Sequence, residues 1–425
     1  MRALWFEKSD GRAPAPALSG SVDCDVAVVG AGIAGLSTAL HLAQAGVSCV
    51  VVEADAAGAG ASGRNTGFVV PALNASLGPA EIRRHVGAAR GALLCDLVRQ
   101  SADFLFDLVE RHAIACDADR RGFLQAAPWH RQLAGLERRC ADWIAAGADV
   151  EFLDRAAVAA RTGSGLYQGA IAFRSGGTID PLAYVLSLAD RFRAAGGRLF
   201  EASPVSSVET TRAGWRLAGR GGEIRAAKLV LATNALVGAL LPDLARSLIA
   251  IEVHQIATQA LSPDDRRRVL PQGGCVTDMH RDPIAFRLTA DGRLVGGGMA
   301  AWAPGAARRM PPFFAERFAR LFPAIGKIES AYVWAGKVAV TRGFLPKFYS
   351  LGPGAYALVA CNGRGNALAT ALGAALATAL CRDDFAEFPL AAEALQPIPA
   401  HFFATLAPRV WLPWARLRDR IERFG

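Results

Sequence analysis

The first fifty residues alternate short apolar runs with a glycine-rich stretch. An apolar run at residues 26–29 precedes Gly-Ala-Gly-Ile-Ala-Gly at residues 30–35, and a second apolar run covers residues 47–52. Between the runs, apolar residues recur at helical spacing and Gly46 is a typical helix stop. An unbroken apolar run suits a parallel strand that is covered on both faces. The pattern therefore predicts a strand–helix–strand unit.

Later segments repeat this alternation of helix and strand patterns. Apolar spacing predicts helices at residues 79–116 and 131–146, and Asp180 followed by Pro181 predicts a helix that runs to about residue 195. Further patterns predict strands at residues 198–201, 215–217, 223–227, 250–260, 284–299 and 356–360, and a helix at residues 367–380. Because 425 residues exceed what one simple core usually holds, we expect a mixed α/β chain with two lobes.

Each glycine of the G-x-G-x-x-G turn has a separate physical role. Gly30 permits a tight turn, Gly32 lets the backbone approach a diphosphate, and Gly35 lets the helix pack close to the strand. The amides and the positive dipole end of the helix would hold the phosphates. Glu53 ends the second run, where a carboxylate can bond both ribose hydroxyls and would repel a 2′-phosphate. FAD or NAD is therefore favoured over NADP.

Composition narrows the class of protein. Hydrophobic residues make up 52% of the chain and charged residues 20%, which excludes a disordered protein. The net charge of +9 favours anionic partners. No run of five basic residues occurs, so we expect no nucleic-acid partner.

The cysteines and the apolar segments bear on location. The eight cysteines form no C-x-x-C and no Cys/His cluster, so we expect no metal site and reduced thiols in a cytoplasmic protein. The first twenty residues lack the apolar core of a signal peptide. The apolar stretches at residues 26–52 and 367–380 are interpreted as buried elements rather than membrane spans.

The segment at residues 58–68, Gly-Ala-Gly-Ala-Ser-Gly-Arg-Asn-Thr-Gly-Phe, decides between FAD and NAD. Its small residues let the backbone lie against a flat ligand, while Ser62, Arg64 and Asn65 offer hydrogen-bond donors. At this segment the chain resembles the FAD-dependent amine oxidoreductases that include D-amino-acid oxidase, glycine oxidase and sarcosine oxidase. It most resembles the branch around γ-glutamylputrescine oxidoreductase.

Two later segments extend the resemblance. Lys-Leu-Val-Leu-Ala-Thr-Asn at residues 228–234 is similar to a strand end that meets FAD in related flavoproteins, and residues 333–346 are similar to a flavin-facing segment of the γ-glutamylputrescine branch. The resemblance implies a Rossmann-like FAD-binding lobe and an antiparallel-sheet substrate lobe with cap helices. We expect the FAD-binding lobe at residues 1–75, 155–238 and 346–400, the substrate and cap lobe at residues 76–154 and 239–345, and a basic aromatic tail at residues 401–425.

The FAD contacts follow from the glycine-rich turn together with the resemblance. They are expected at Gly30, Gly32, Ile33, Ala34, Gly35, Glu53, Ala54, Gly60, Ala61, Ser62, Arg64, Asn65, Thr66, Gly67, Val205, Ala232, Thr233, Asn234, Gly363, Arg364, Gly365, Asn366 and Ala367. Residues 339–344 lack the cysteine that tethers flavin in sarcosine oxidase, so FAD is expected to be non-covalent. Arg364 stands where the family usually has histidine. It would add a cation near the ring or bond the diphosphate.

Four residues are candidates for the substrate side. His254 would contact flavin or substrate or be a structural histidine, and Arg287 would pair a carboxylate or lie on a solvated sheet face. Lys337 would polarise the ring or meet a carboxylate, and Thr341 would bond the flavin edge. Glycine-oxidase-like relatives carry a carboxylate-binding arginine where this sequence has Val338, which counts against a simple α-amino acid.

The implied reaction is hydride transfer from an amine-bearing carbon to flavin N5, followed by hydrolysis of the imine. The strand at residues 294–298 lacks the lysine that activates oxygen in sarcosine oxidase, so the acceptor is either O2 or a quinone-type carrier. The alternatives are an electron-relaying or non-catalytic FAD subunit of an amine dehydrogenase complex, and another class of FAD monooxygenase.

The C-terminal segment at residues 401–425 interleaves aromatic residues with arginines. Such a pattern is typical of a tail docked across the FAD-binding lobe, and also of an interfacial segment on anionic lipid. A cytoplasmic protein with peripheral membrane contact is thus one of the expectations.

Overall fold

The computed structural model describes residues 3–8, 12–74, 77–359 and 362–422. The helices are α1 (Leu4–Lys8), α2 (Ile33–Gln44), α3 (Pro79–Val86), α4 (Ala88–Arg111), α5 (Leu133–Ala145), α6 (Arg155–Thr162), α7 (Pro181–Ala194), α8 (Pro242–Arg246), α9 (Pro263–Arg268), α10 (Ala306–Leu321), α11 (Gly365–Arg382) and α12 (His401–Ile421).

The strands form two large sheets and one small one. They are β1 (Gly20–Val29), β2 (Cys49–Val52), β3 (Phe68–Val69), β4 (Phe123–Ala127), β5 (Val150–Leu153), β6 (Gly169–Phe173), β7 (Gly177–Thr178), β8 (Arg198–Phe200), β9 (Val205–Thr211), β10 (Gly214–Gly219), β11 (Gly222–Leu231), β12 (Ile249–Ala260), β13 (Cys275–Asp278), β14 (Ala285–Leu288), β15 (Arg293–Met299), β16 (Ser330–Val340), β17 (Lys347–Gly352), β18 (Ala355–Val359) and β19 (Ala392–Glu393).

The first sheet confirms the predicted strand–helix–strand unit. Its strand order is β19-β17-β18-β11-β1-β2-β8, and β9 and β10 extend from β11 as a hairpin. β1 pairs in parallel with both β2 and β11, so β1 is central and its residues 26–29 are buried. Since α2 connects β1 to β2, its N-terminus lies at the carboxyl end of β1. This is where ligands bind in such sheets.

Helix α11 packs against α2 on one face of this sheet. Both helices are apolar and mostly buried, and Ser37 donates a hydrogen bond of 2.7 Å to the backbone oxygen of Thr370. The small residues of α11 let the two helices approach closely. The N-termini of α2 and α11 therefore meet near the same edge of the sheet.

The second sheet is mainly antiparallel, with strand order β16-β12-β15-β14-β13-β4-β6-β5. Residues 169–173, which our boundary at residue 155 assigns to the FAD-binding lobe, pair here with β4 and β5. That boundary therefore falls too early, because these residues complete the second sheet before the chain returns to the first.

The predicted helix at residues 79–116 is divided into α3 and α4. Gly87 separates them with φ +86° and ψ 162°, a backbone conformation that breaks the helix and that side chains rarely adopt. The C-terminal segment, expected as a tail across the FAD-binding lobe, forms helix α12 up to residue 421, and Arg416 of this helix bonds Asp282 and Met299 of the second lobe. No helix among the described residues is both long and apolar enough to cross a membrane.

Replacing Gly35 with alanine tests the close packing of α2. A Cβ atom at Gly35 would lie 2.0 Å from the backbone oxygen of Gly30, so Gly35→Ala should destabilise the chain by about 2 kcal/mol through overpacking. Gly165→Ala is the control, because a Cβ atom there meets nothing within 4 Å. Urea denaturation of both variants checks this. Equal midpoints for the two would contradict the predicted packing.

Replacing Asp278 with asparagine tests a buried charge at the end of β13. Asp278 is 2% exposed, and it accepts hydrogen bonds from the Ile284 amide at 3.0 Å and the His280 ring at 2.7 Å. Burial alone would raise the pKa of Asp278, but His280 and Arg317 outweigh it, so this pKa lies below its usual value.

The Asp278 carboxylate thus contributes stability above its ordinary pKa of 3.8, and this contribution is lost as the pH falls through the lower folded value. Asp278→Asn should cost about 3 kcal/mol at neutral pH, and the difference from wild type should shrink in acid. The control is the exposed Asp149→Asn, which should change stability by less than about 0.5 kcal/mol. Urea denaturation at several pH values is the measurement, and a difference independent of pH would contradict the assignment.

Candidate active site

A cavity of about 860 Å³ lies between the two lobes. One wall is formed by the edge of the first sheet, residues 61–66 and the start of α11, and the opposite wall by β12, β15 and β16 of the second sheet. The predicted FAD contacts that line this cavity are Gly32, Ile33, Ala34, Ala61, Ser62, Arg64, Asn65, Thr66, Ala232, Asn234, Gly363, Arg364, Gly365 and Asn366.

The N-terminus of α2 opens at one end of the cavity. Gly30 makes the preceding turn, and a Cβ atom there would lie 2.9 Å from the backbone oxygen of Ala232. The Ile33 amide donates a hydrogen bond of 3.1 Å to the Ser62 hydroxyl, so an oxygen already lies at the positive end of the helix. This end of the cavity suits an anionic group such as a phosphate.

Glu53 lies beside the same turn, outside the cavity lining. Its carboxylate accepts hydrogen bonds from the Ala31 amide at 2.7 Å and from the Asp55 amide at 3.1 Å. Burial raises the pKa of Glu53, although these backbone amides oppose the shift. Gly30, Gly35, Ala54, Gly60, Gly67, Val205, Thr233 and Ala367 are also outside the lining. The FAD contacts of the lining residues and of these residues alike stay predictions.

The segment at residues 58–67 is held between the two lobes. The backbone oxygen of Arg64 accepts hydrogen bonds of 2.8 Å from both Gln255 and Trp334 of the second sheet. Asn65 and Asn366 exchange side-chain hydrogen bonds of 3.0 and 2.9 Å, which ties the segment to the first turn of α11. The segment is therefore fixed from both sides along the cavity.

Arg364 lies just before α11, where relatives carry histidine. Its guanidinium donates to the backbone oxygen of Leu73 and lies 5.4 Å from the centre of the Phe123 ring. Burial lowers the pKa of Arg364 to about 10. Since Arg364 also lines the cavity, it brings a buried cation to the wall formed by α11.

Two substrate-side candidates lie on the wrong face of the second sheet. In β12 the cavity is lined by Ile249, Ile251, Val253 and Gln255, and successive strand residues point to opposite faces. His254 therefore faces away from the cavity and bonds Glu252 at 2.6 Å. Lys337 pairs with Glu252 across the strands and is exposed on that same outer face. Neither lines the cavity.

The other two candidates lie close to the cavity without lining it. Arg287 is on the cavity-facing side of β14, but it is buried beyond the end of the cavity, with its guanidinium 5.0 Å from the Trp5 ring centre. Burial lowers the pKa of Arg287 to about 10. Thr341 is buried and its amide donates a hydrogen bond of 2.8 Å to Asn362, which does line the cavity. Arg287 and Thr341 can therefore affect a ligand in the cavity only through the residues that they contact.

Sequence reasoning missed the polar end of the cavity. It is lined by Asn74, Arg139, Met279, His280 and Arg281, contributed by the loop before α3, helix α5 and the turn after β13. The sign in the sequence is the mainly polar stretch Asp-Met-His-Arg-Asp at residues 278–282, which lies between the predicted strands at residues 250–260 and 284–299. Helix α12 also contributes to the wall, through Ala404, Ala407, Pro408 and Trp411.

Arg139 differs from the other arginines that line the cavity. Arg64, Arg281 and Arg364 are each engaged by a backbone oxygen or a carboxylate. Among the described residues no carboxylate lies within ion-pair distance of Arg139, and its Nε atom is buried without a hydrogen-bond partner. Within the described part of the chain, the one hydrogen bond of its side chain, from Nη2 to the Met279 sulfur, is long at 3.7 Å. Burial lowers the pKa of Arg139.

The donor set of the cavity fits FAD. One end offers a helix N-terminus and the Ser62 hydroxyl for a diphosphate, and the long central part is bordered by small residues and backbone. Four arginines and one carboxylate, Asp278, line the cavity, so its charge favours an anionic ligand.

The chain was compared with known proteins. A family model described as FAD dependent oxidoreductase matches residues 25–379. The chain is 34% identical over 379 residues to gamma-glutamylputrescine oxidoreductase of Escherichia coli (strain K12), a match that covers 88% of each chain. Its fold is similar to that of glycine oxidase from Geobacillus kaustophilus, with a TM-score of 0.72 at 20% identity over 89% of this chain and 99% of the other. L-proline dehydrogenase from P. horikoshii gives a TM-score of 0.72 at 17% identity over 86% and 95%.

The family match spans both lobes and most of the cavity walls. It confirms the expected cofactor, FAD, and the two-lobed fold with a Rossmann-like part. The chain belongs to the family of FAD-dependent oxidoreductases that act on amines and amino-acid-like substrates.

Proposed function

We propose that this enzyme oxidises the C–N bond of an amine that carries a carboxylate at its other end. The observation that supports this proposal is Arg139, a half-buried cation at the polar end of the cavity whose Nε atom is buried without a hydrogen-bond partner. A buried N–H group that lacks a hydrogen-bond partner is costly. A substrate carboxylate would satisfy the guanidinium in the bidentate geometry that arginine prefers.

The remaining residues of the polar end support the same assignment. His280 is held by Asp278 through its Nδ1 atom at 2.7 Å, which leaves its Nε2 atom available to a ligand. Asn74 adds an amide to the same part of the lining. Together with Arg139, these groups can hold and orient a carboxylate or an amino-acid head group.

Among the described residues, the sheet wall of the cavity offers no cationic group that could bind a carboxylate. Val338, Val253 and Ile251 line it with apolar side chains, and Gly336 and Gly297 leave room between them. When bound, FAD supplies hydride acceptance at flavin N5, and the imine product is released for hydrolysis. The apolar wall excludes water from the reacting carbon and favours the neutral amine, while the anionic end of the substrate lies at Arg139.

The cavity has an apolar sheet wall and a separate polar end, so it fits a substrate whose amine and carboxylate are far apart. The relative from Escherichia coli is named for γ-glutamylputrescine, a molecule with a primary amine at one end and an amino-acid group at the other. We infer that compounds of this class, ω-amino acids or amines conjugated to an amino acid, are oxidised at the amine end.

Anaerobic mixing of the FAD-loaded enzyme with γ-glutamylputrescine and with simple α-amino acids tests the proposal. We expect the former to bleach the flavin absorbance rapidly and the latter to do so slowly. Reoxidation by O2 and by a quinone dye in the same instrument then distinguishes an oxidase from a dehydrogenase. A flavin that binds but is bleached by no amine would instead support the electron-relaying subunit.

Replacing Arg139 with methionine should separate binding from chemistry. Loss of a charge-assisted hydrogen bond should raise KM for γ-glutamylputrescine roughly 10–100-fold and change kcat little. N-acetylputrescine has the same amine and a similar chain but no carboxylate, so its KM should change less than about twofold. Arg138→Met, on the exposed side of α5, is the matched control. Equal effects on both substrates would show that Arg139 only supports the fold.

A further inference from the structure

We propose that the outer face of helix α12 binds the surface of a lipid bilayer that contains anionic lipids. This inference does not depend on the substrate proposed above. It rests on the exposed side chains of α12, on the direction of its charges and on its place beside the cavity.

The outer face of α12 carries an apolar stripe at helical spacing. Phe403, Val410, Trp414, Leu417 and Ile421 follow each other at intervals of seven, four, three and four residues, so they share one face. Each is between 49% and 76% exposed. Seven of the twelve exposed large hydrophobic side chains among the described residues belong to this one helix. Such a concentration marks an interaction surface.

The opposite face of α12 is already used by the protein. Leu412 and Ala415 are buried, and the Arg416 guanidinium donates a hydrogen bond of 2.7 Å to Asp282. Asp419 accepts hydrogen bonds from the amides of Arg281 and Asp282 at 3.2 and 3.1 Å. The helix is therefore fixed to the second lobe, and its exposed stripe is not the result of a loosely placed segment.

The charges of α12 are sorted between its two faces. Its two described carboxylates point toward the protein, since Asp419 bonds the backbone amides above and Glu422, only 6% exposed, pairs with Arg131 and Arg281. These two arginines hold the pKa of Glu422 at about 2. The exposed charges are Arg409, Arg418 and Arg420, of which Arg418 also pairs with Glu422 at 3.2 Å. An apolar stripe flanked only by cations is complementary to an anionic lipid surface.

A second copy of the chain fits this face less well. If two such faces met, the flanking arginines of one copy would approach those of the other, and like charges across an interface oppose association. A bilayer instead accepts the apolar stripe between its acyl chains and neutralises the arginines with phosphate groups. Binding would be peripheral, because no described helix could cross the membrane.

Because α12 also lines the cavity, a bilayer bound to its outer face would lie close to the cavity. Ala404, Pro408 and Trp411 line the cavity on the same helix, and Phe344, which is 42% exposed, lines it nearby. A bilayer bound to the outer face would therefore border the cavity opening. A lipid-soluble electron acceptor could then approach without crossing water.

Vesicle co-sedimentation of the FAD-loaded full chain tests the proposal. We expect binding to vesicles of phosphatidylcholine mixed with phosphatidylglycerol, and weaker binding to phosphatidylcholine alone or at high salt. The double variant Val410→Glu/Leu417→Glu should lose roughly tenfold in vesicle affinity. Because both side chains are exposed and neither lines the cavity, flavin reduction by amine and turnover with a water-soluble dye should be unchanged.

The matched control is Ile144→Glu/Leu166→Glu, which adds the same charge at exposed apolar positions elsewhere. It should retain vesicle binding within about twofold, since it leaves the stripe intact. Arg409→Gln/Arg420→Gln should remove the preference for phosphatidylglycerol. Failure of the wild-type chain to bind anionic vesicles at low salt, or equal losses in both glutamate variants, would overturn the proposal. So would a concentration-dependent dimer in sedimentation that Val410→Glu/Leu417→Glu dissociates without any vesicle binding.

Discussion

The close contact between Gly35 and Gly30 is the constraint on which the rest of the site depends. The position of a Cβ atom on Gly35 lies only 2.0 Å from the Gly30 oxygen, so the first turn of α2 can approach β1 only if residue 35 has no side chain. This approach aims the positive end of α2 at the cavity. It also sets the face against which α11 packs, and hence the place where residues 363–366 meet the cavity. One backbone contact thus positions both helix ends that border the cofactor.

Much of the fold was predictable because its determinants are local. The strand–helix–strand unit, the hairpin of β10 and β11 and the helix capped by Asp180 each follow from spacing and turn residues within a few positions. Local sequence could not predict which face of β12 and β16 borders the cavity. Alternation tells which residues of a strand share a face, but the neighbouring lobe decides which face borders the cavity. The side-chain chemistry of His254 and Lys337 suits a cavity residue, but tertiary packing places both on the other face of the sheet.

Arg139 is the opposite case, because it lines the cavity although the sequence did not predict it. In the sequence it is one of several polar residues on a helix, a pattern that is typical of a solvated face. It becomes a cavity residue only because the turn after β13 brings Met279 against α5, as the hydrogen bond of 2.8 Å from Gln132 to the Met279 oxygen records. Long-range contacts of this kind leave no local pattern. A cap helix can therefore bring a cation to the cavity without any motif that is visible in the sequence.

Helix α12 is exposed on its outer face, and on its inner face one set of ionic contacts links it to residues that line the cavity. Arg281 lines the polar end of the cavity and also pairs with Glu422 of α12, while Asp282 in the same turn accepts from Arg416. These contacts tie α12 to the turn that holds His280 and Met279. Because Asp419 of the helix and Glu422 just after it are both engaged on the inner face, the exposed charges on the outer side are those of arginines. The same ionic contacts that hold the polar end of the cavity therefore leave a basic, apolar outer surface.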